Sequence, residues 1–368
     1  MTVRVLEIIP TLVRGGAEKQ LTLLASGLPT DEFSVQVAVL SQDGPYREVL
    51  EQRGIPMTLI RKKWKLDPLA YWRLKRVIRD VQPDIVHTWI FAANCYGRQA
   101  AFAAGVPHVV AGERCVDQWK VWHELAIDRR LARRTDRIAV NSSGVRDFYV
   151  RHGIPPEKFV LIPNGIAPFA PTVSITRSQL LQELRLPSTA RLLGAVGRLW
   201  PQKRYKDLIW AAELLRAGRG DTHLLIVGDG PQRDALQRYC RQIQVVGHVH
   251  FLGERRDVAA LYPHFECFWL GSGYEGQSNA LMEAMSAGVP VVATDIPGNR
   301  DLVVPDQTGF LVPVGDSGEL ARKTHLILND PELARSLGVR GKARMQREFS
   351  IEKMVERYAA LYRTLVAS

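Results

Sequence analysis

The chain has only four cysteines in 368 residues, Cys95, Cys115, Cys240 and Cys267, widely scattered and without a CxxC pair. That excludes a disulfide framework and a thiolate zinc site, and it fits reduced, mostly buried thiols. No run reaches the roughly 18 apolar residues of a membrane-spanning helix. The nearest approach, 91–110, is interrupted by Asn94, Arg98 and several glycines or prolines. The first ten residues carry Arg4 and Glu7 inside their apolar stretch and no small-residue cleavage site, so they do not read as a signal peptide. Low-complexity tracts and repeats with a period of roughly 20 to 50 residues are missing too. No Asp-x-Asp occurs, and the nine histidines form no ligand cluster, His248 and His250 merely alternating along one strand. Neither a metal centre nor a cofactor is therefore expected. The protein reads as cytoplasmic, with peripheral attachment to the inner face of a membrane as the variant of that reading.

What is present is ordinary globular composition, 46% apolar and 24% charged, in a chain long enough for two domains of middling size. The net charge of +11 is uneven: residues 1–170 hold 24 Lys and Arg against 17 Asp and Glu. Residues 61–79 contain eight basic residues and one acid, and 129–137 add five arginines. Such surfaces attract phosphates, although a solvated helix face accounts for the same charges. No nucleic-acid motif accompanies them, so no nucleic acid is expected as a partner. Basic residues interleaved with Trp64, Tyr71 and Trp72 suit an anionic membrane surface, which is the expected partner of 61–79.

Short runs rich in β-branched residues alternate with helix-length amphipathic stretches. Near-continuous apolar strands separated by helices indicate parallel sheets covered on both faces. The pattern starts twice, because 164–191 has scattered prolines and no strand, and Leu192 then opens a fresh strand, turn and helix. The expected fold is α/β, with two doubly wound, Rossmann-like domains facing across a cleft, 1–170 and 171–350. The tail 351–368 has Met354, Tyr358, Leu361 and Leu365 at helical spacing.

Four motifs follow strands, where such sheets bind ligands. Gly15-Gly16 allows close backbone approach to a phosphate or sugar, but its spacing is not GxGxxG and it lacks a P-loop lysine. Arg198 and Lys203, between a strand and a helix, are two cations able to hold a diphosphate and offset its charge as it departs. Gly228-Asp229-Gly230-Pro231 reads as a structural turn. In the fourth, Glu275 precedes a helix with Ser278 as N-cap and Gly288 as C-cap. The amides of Gln277, Ser278 and Asn279 suit an anion, and Glu283 sits where it can reach a ribose diol. A carboxylate accepting from two hydroxyls is a typical sugar contact.

Glu275 and Glu283, with seven residues between them and Gly276 after the first, resemble the EX7E motif of retaining glycosyltransferases of the GT-B fold, specifically glycosyltransferase family 4. Gly15-Gly16, Arg198 with Lys203, the Gly228–Pro231 turn, Phe251-Leu252-Gly253 and 308–312 are similar to that family's other motifs, so the resemblance spans nearly the whole chain. It implies transfer of a sugar from a nucleotide-sugar donor, UDP by default, to a glycan or lipid-linked acceptor without a metal. Arg198 and Lys203 would neutralise the diphosphate, Glu275 bind the sugar, Glu283 the ribose, and Gly253 and Glu254 lie near the base. The tail helix would cross back onto the first domain. An epimerase of the same fold and a catalytically weakened nucleotide-sugar-binding protein compete with this reading. Three departures stand out: Arg204 where the family often has glycine, Ala167 where it has an acid, and Gly112-Glu113-Arg114 where many members carry a histidine. His87, Glu113 and Arg114 are the acceptor-side candidates.

Overall fold

The structure, a computed structural model, describes residues 2–171 and 173–368. Met1 and Thr172, which fall within the ranges expected for the two domains, lie outside the described residues. The chain forms two compact units, one of the residues up to Gly165 together with Ile351–Ser368, the other Ile166–Ser350. The division therefore falls a little ahead of the expected 170. Gln20 fixes it on one side, accepting from the Gly165 amide at 2.8 Å and donating to the Gly165 carbonyl at 3.0 Å. On the other side the Ile166 amide donates to the Phe349 carbonyl at 2.8 Å, within the second unit.

The first unit holds β1 (Val3–Thr11), β2 (Phe33–Gln42), β3 (Met57–Leu59), β4 (Ile85–Trp89), β5 (His108–Glu113), β6 (Arg137–Val140) and β7 (Phe159–Leu161). They form one parallel sheet in the order β3-β2-β1-β4-β5-β6-β7. The second holds β8 (Arg191–Val196), β9 (Thr222–Val227), β10 (Val249–Gly253), β11 (Cys267–Leu270), β12 (Val291–Thr294) and β13 (Phe310–Val312). Their parallel order is β10-β9-β8-β11-β12-β13. Both orders reverse once, at β1/β4 and at β8/β11, and ligands of open α/β sheets bind beyond the carboxyl ends of strands at such points.

Burial on both faces explains the continuous apolar runs. Leu224 and Ile226 enter one core of the second unit while Leu225 and Val227 enter the other. In the first unit Val5 and Ile9 face one core, Leu6 and Ile8 the opposite one. The helix Ile351–Val366 belongs to the Val5 side, where Met354, Tyr358, Leu361, Tyr362 and Leu365 complete the core. Strand alternation puts Glu7 on that same side.

Candidate functional site

In the second unit the site is assembled from the loops that follow β8, β9, β10 and β11. Beyond β8 the chain turns through Gly197 and Arg198, and the Gly228–Pro231 turn frames this loop. A Cβ at Gly228 would lie 2.2 Å from the Gly197 carbonyl oxygen, and one at Gly230 would lie 2.7 Å from that of Leu199. Leu199 donates its amide to the Asp229 carbonyl at 2.9 Å. The glycines are thus required by close backbone approach. Arg198 is exposed, with its guanidinium carbon 5.6 Å from the centre of the Trp200 ring. Pro201–Lys203 form a 3-10 turn, and Arg204 then takes a left-handed conformation (φ +52°) before the helix Tyr205–Gly218. Gly253, at the end of β10, accepts from the Gly228 amide at 2.7 Å, and Glu254 beside it is exposed.

The loop after β11 is stitched to the loop after β8. The Gly273 amide donates to the Gln202 carbonyl at 2.9 Å, and the Gln202 side chain donates to the Tyr274 carbonyl at 2.8 Å. Thr294 holds the same loop by donating its hydroxyl to the Ser272 carbonyl at 2.6 Å. These contacts bring the Lys203 ammonium into a direct ion pair with Glu275 Oε1, which also accepts from Ser272 Oγ at 2.7 Å. The two side chains were expected to grip different parts of a ligand, and here they touch. Gly298 packs so closely that a Cβ on it would lie 1.7 Å from the Gly276 carbonyl oxygen.

Ser278 caps the helix Asn279–Ser286, its hydroxyl accepting from the Leu281 amide at 3.5 Å. The C-cap is Ala287, one residue before the expected Gly288, which follows at φ +79°. Glu283 projects from this helix and accepts from the Tyr262 hydroxyl at 2.8 Å. Burial and the neighbouring Glu283 carboxylate push the Tyr262 phenol well above its ordinary pKa, so it remains a donor. Ser272, Tyr262, Gln202 and Gly298 were not singled out from the sequence. Tyr262, Gln202 and Gly298 each act on a partner from another element. Ser272 reaches Glu275 within one loop whose course is set by contacts with other elements, so no local spacing marks any of them.

The remaining candidates belong to the first unit. Gly15 is the N-cap of the helix Gly16–Gly27 at φ −140°, open to any residue. What crowds it is Glu18, whose carboxylate folds back to accept from Thr11 Oγ1 at 2.8 Å and would meet a Cβ on Gly15. The helix terminus expected to greet a phosphate thus already has a carboxylate beside it.

None of the three acceptor-side candidates presents its polar atoms to solvent, contrary to expectation. His87 is the register partner of Glu7 across β4 and β1, and both are 0% exposed. Its Nδ1 lies 2.7 Å from the Tyr362 hydroxyl and 3.1 Å from Glu7 Oε2, while Glu7 also accepts from Trp89 Nε1 at 2.5 Å. Arg114 is buried with its guanidinium carbon 4.5 Å from the centre of the Trp89 ring, and burial lowers its pKa. Glu113 accepts from Asn94 Nδ2 at 2.8 Å and lies 3.6 Å from Lys120. Lys120 also pairs with Asp117 at 3.0 Å and Asp128 at 2.9 Å, and Asp128 with Arg98 at 2.9 Å. Burial pushes the Glu113 carboxyl up to about 7 against the pull of Lys120 and Arg98, and the neighbouring Asp128 and Asp117 act in the same direction as burial. His87 and Glu113 lie on β4 and β5, internal strands of the sheet, and Arg114 directly follows β5, so all three side chains pack among neighbouring elements.

Among the described residues no three His, Cys, Asp or Glu converge as a metal-binding group, and no helix is long and apolar enough to cross a membrane. Residues 176–344 match the family model described as Glycosyl transferases group 1, and 14–168 that described as Glycosyltransferase Family 4. A GDP-mannose-dependent alpha-mannosyltransferase of Mycolicibacterium smegmatis is 33% identical over 269 residues, 69% of this chain and 68% of that protein. The UDP-Gal:alpha-D-GlcNAc-diphosphoundecaprenol alpha-1,3-galactosyltransferase of Escherichia coli is 27% identical over 363 residues, 93% of this chain and 92% of that one. Among solved structures, Anabaena HepE in complex with UDP and glucose has a TM-score of 0.86 at 23% identity, covering 98% of this chain and 100% of that one. Sucrose-phosphate synthase from Thermosynechococcus elongatus has a TM-score of 0.81 at 22% identity, covering 99% of each chain. The two Rossmann-like sheets are therefore those of a GT-B-type glycosyltransferase, and the chain belongs to glycosyltransferase family 4.

Proposed function

We propose that the protein transfers a hexosyl group with retention of configuration from a UDP-sugar to a glycan or lipid-linked acceptor, in cell-surface polysaccharide or glycolipid biosynthesis. The observation that carries this reading is the meeting of Lys203 with Glu275 beyond β8 and β11, with Arg198 on the same loop as Lys203. Arg198 and Lys203 neutralise the departing diphosphate, so the cations come from the protein and not from a metal. Glu275 accepts from sugar hydroxyls, Glu283 from the ribose, the amides at Gly276 to Asn279 meet phosphate, and Gly253 and Glu254 flank the base. The leaving phosphate takes the acceptor's proton as an oxocarbenium-like transition state collapses. UDP is supported by the UDP-Gal-using relative from Escherichia coli and by the UDP complexes of HepE, and a lipid-linked acceptor by the diphosphoundecaprenol in that relative's name. The enzyme works in the cytoplasm, peripheral to the inner membrane face through the basic segment 61–79.

A screen of nucleotide sugars for protection against thermal unfolding identifies the donor, since a ligand of the native state stabilises by mass action. With that donor, Lys203→Ala is expected to lower kcat by about 10² to 10³, the cost of removing one preorganised charge stabiliser. Near-normal turnover in that variant overturns the assignment. Release of nucleotide only when acceptor is present separates transfer from epimerisation.

A further inference from the structure

Two stretches of the first unit expose large apolar side chains far beyond what scattered surface residues require. In the first, Trp64, Leu66, Leu69 and Trp72 are all more than half exposed, Leu66 reaching 83%. In the second, where the loop after β5 runs into the helix Trp122–Ala132, Trp119 and Trp122 are also more than half exposed, Trp122 at 77%, with Val121 between them at 50%. Forty-six residues lie between Trp72 and Trp119 in sequence, but the fold joins the stretches. Lys65 Nζ lies 3.8 Å from Glu124 Oε1, just two residues beyond Trp122.

Both stretches are held firmly from beneath. The Tyr96 hydroxyl accepts from the Asp67 amide at 2.7 Å and donates to the Lys65 carbonyl at 3.0 Å. Trp119 packs edge-on against Phe91 with ring centres 5.2 Å apart, and its neighbour Lys120 is buried among the carboxylates described above. The exposed rings are thus displayed by an ordered framework.

The charges around them are predominantly basic, the exposed acid Asp80 lying 3.7 Å from Arg76. Arg61, Lys63, Lys65, Arg73 and Arg76 are exposed on the first stretch. Two nearby acids turn inward: Asp67 accepts from the Ala70 and Lys63 amides at 2.9 Å each, and Glu124 accepts from the Val121 amide at 3.2 Å. Tryptophan beside lysine is the composition of a membrane interface, where the ring sits at headgroup depth and the ammonium meets lipid phosphate.

We infer that 61–76 and 119–122 form one surface that docks the first unit on an anionic lipid bilayer, with Trp119 and Trp122 entering the headgroup region beside Trp64 and Trp72. The inference deepens the reading of 61–79 as the lipid-facing segment and rests on it. It adds a second contact and fixes an orientation. The loop carrying Trp119 leaves the carboxyl end of β5, so the end of the sheet at which α/β folds bind ligands is turned to the bilayer. A lipid-linked acceptor would then arrive from the surface on which the unit already rests.

The test is cosedimentation of the whole chain with vesicles of phosphatidylcholine alone or with phosphatidylglycerol added, for wild type, Trp119→Ala/Trp122→Ala and Arg61→Glu/Lys63→Glu/Lys65→Glu. Thermal unfolding and donor-dependent transfer to a soluble acceptor verify that each variant is folded. Wild type is expected to bind only the anionic vesicles. The tryptophan variant should lose at least about tenfold in partitioning while keeping its soluble-acceptor activity, and the charge variant should lose binding outright. Should Trp122→Ala alone prove better folded than the double variant, it must show the same direction of loss. Wild-type-like binding by both tryptophan variants, with the charge variant impaired, overturns the second contact and leaves the 61–79 reading standing. Binding that survives charge reversal, or wild type that ignores anionic vesicles, overturns both. A patch that instead drives self-association, seen as a dimer abolished by Trp122→Ala, also overturns the inference.

Discussion

Tyr262 has a phenol held in the core and a hydroxyl donating to Glu283 Oε2 at 2.8 Å, with the Ala280 carbonyl 3.4 Å away. Such a bond restrains the rotamer of a carboxylate assigned to the ribose. Under the proposed ribose role of Glu283, Tyr262 acts as a positioning residue, and Tyr262→Phe should raise the donor KM by about 3- to 10-fold with kcat within about twofold, the range of one hydrogen bond to a charged group. In a Glu283→Ala background the same change should do little, because the pair acts as a unit. An unchanged KM removes the role, whereas a Glu283→Ala protein with normal donor affinity would remove the ribose assignment itself. Arg204 offers a different trial. Its left-handed φ of +52° costs a side-chain-bearing residue about 1 kcal/mol, and its bond to Asp207 at 2.6 Å is a part-exposed ion pair worth about 0 to 1 kcal/mol. Arg204→Gly relieves the first and loses the second, with some added freedom in the unfolded chain. Urea denaturation should show anything from a loss of about 1 kcal/mol to a gain of about 0.5 kcal/mol, and a larger loss would mean that Arg204 has a contact of greater worth.

At the level of elements, the strands could be read from the sequence because sheets covered on both faces leave uninterrupted apolar runs such as Leu224–Val227, and the helix Ile351–Val366 because its apolar residues keep a helical period. Helix Asn279–Ser286 was legible from Ser278, a residue type that competes for backbone amides and so favours N-caps. What could not be read is any pairing made only by the fold. Glu7 looks like a stray charge in an apolar strand until Tyr362, 355 residues away, donates to it at 3.0 Å. Glu113 and Arg114 were recognisable as chemistry-bearing types, but their burial depends on Lys120, Asp128 and Trp89, from three other segments. Gly298 sits in a Pro-Gly-Asn stretch that suggests only a turn, and its closeness to Gly276 emerges when the short helix Pro297–Arg300 is laid on that loop. The Glu7 knot also yields a stability prediction for the C-terminal helix. Tyr362→Phe keeps the ring in the core but removes a donor from a carboxylate with no access to water, which should cost about 1 to 3 kcal/mol by urea denaturation. A loss below about 0.5 kcal/mol would show that Trp89 and His87 satisfy Glu7 without it.

For the whole molecule, the two units carry buried titrating groups whose effects on stability run in opposite directions across neutral pH. In the first unit the Glu113 carboxyl is raised to about 7, so its contribution is fully present below the unfolded value near 4.5 and is lost as pH rises through 7. In the second unit burial, with His223 and His248 adding to it, lowers His250 to about 4. Its contribution is present above the unfolded value near 6.5 and is lost as pH falls toward 4. Carboxylates held below their usual range, such as Asp84 and Asp221, stay ionised in both states above about pH 5. His223, lowered by burial, and Glu266, raised by it, add to the same window, so each group is read from the difference between its own variant and wild type. Glu113→Gln keeps an acceptor for Asn94 and cannot ionise. Its melting temperature relative to wild type should therefore rise steadily from pH 5 to pH 8, by an amount on the order of 1 to 3 kcal/mol in stability. His250→Gln should behave in reverse, gaining on wild type as pH falls from 7 to 5, and by less, because the imidazole is only part-buried. Scanning calorimetry of the three proteins over that range decides the matter. If Glu113→Gln tracks wild type at every pH, Glu113 is ionised in the folded protein throughout, and Lys120 with Arg98 outweighs both its burial and the two neighbouring aspartates.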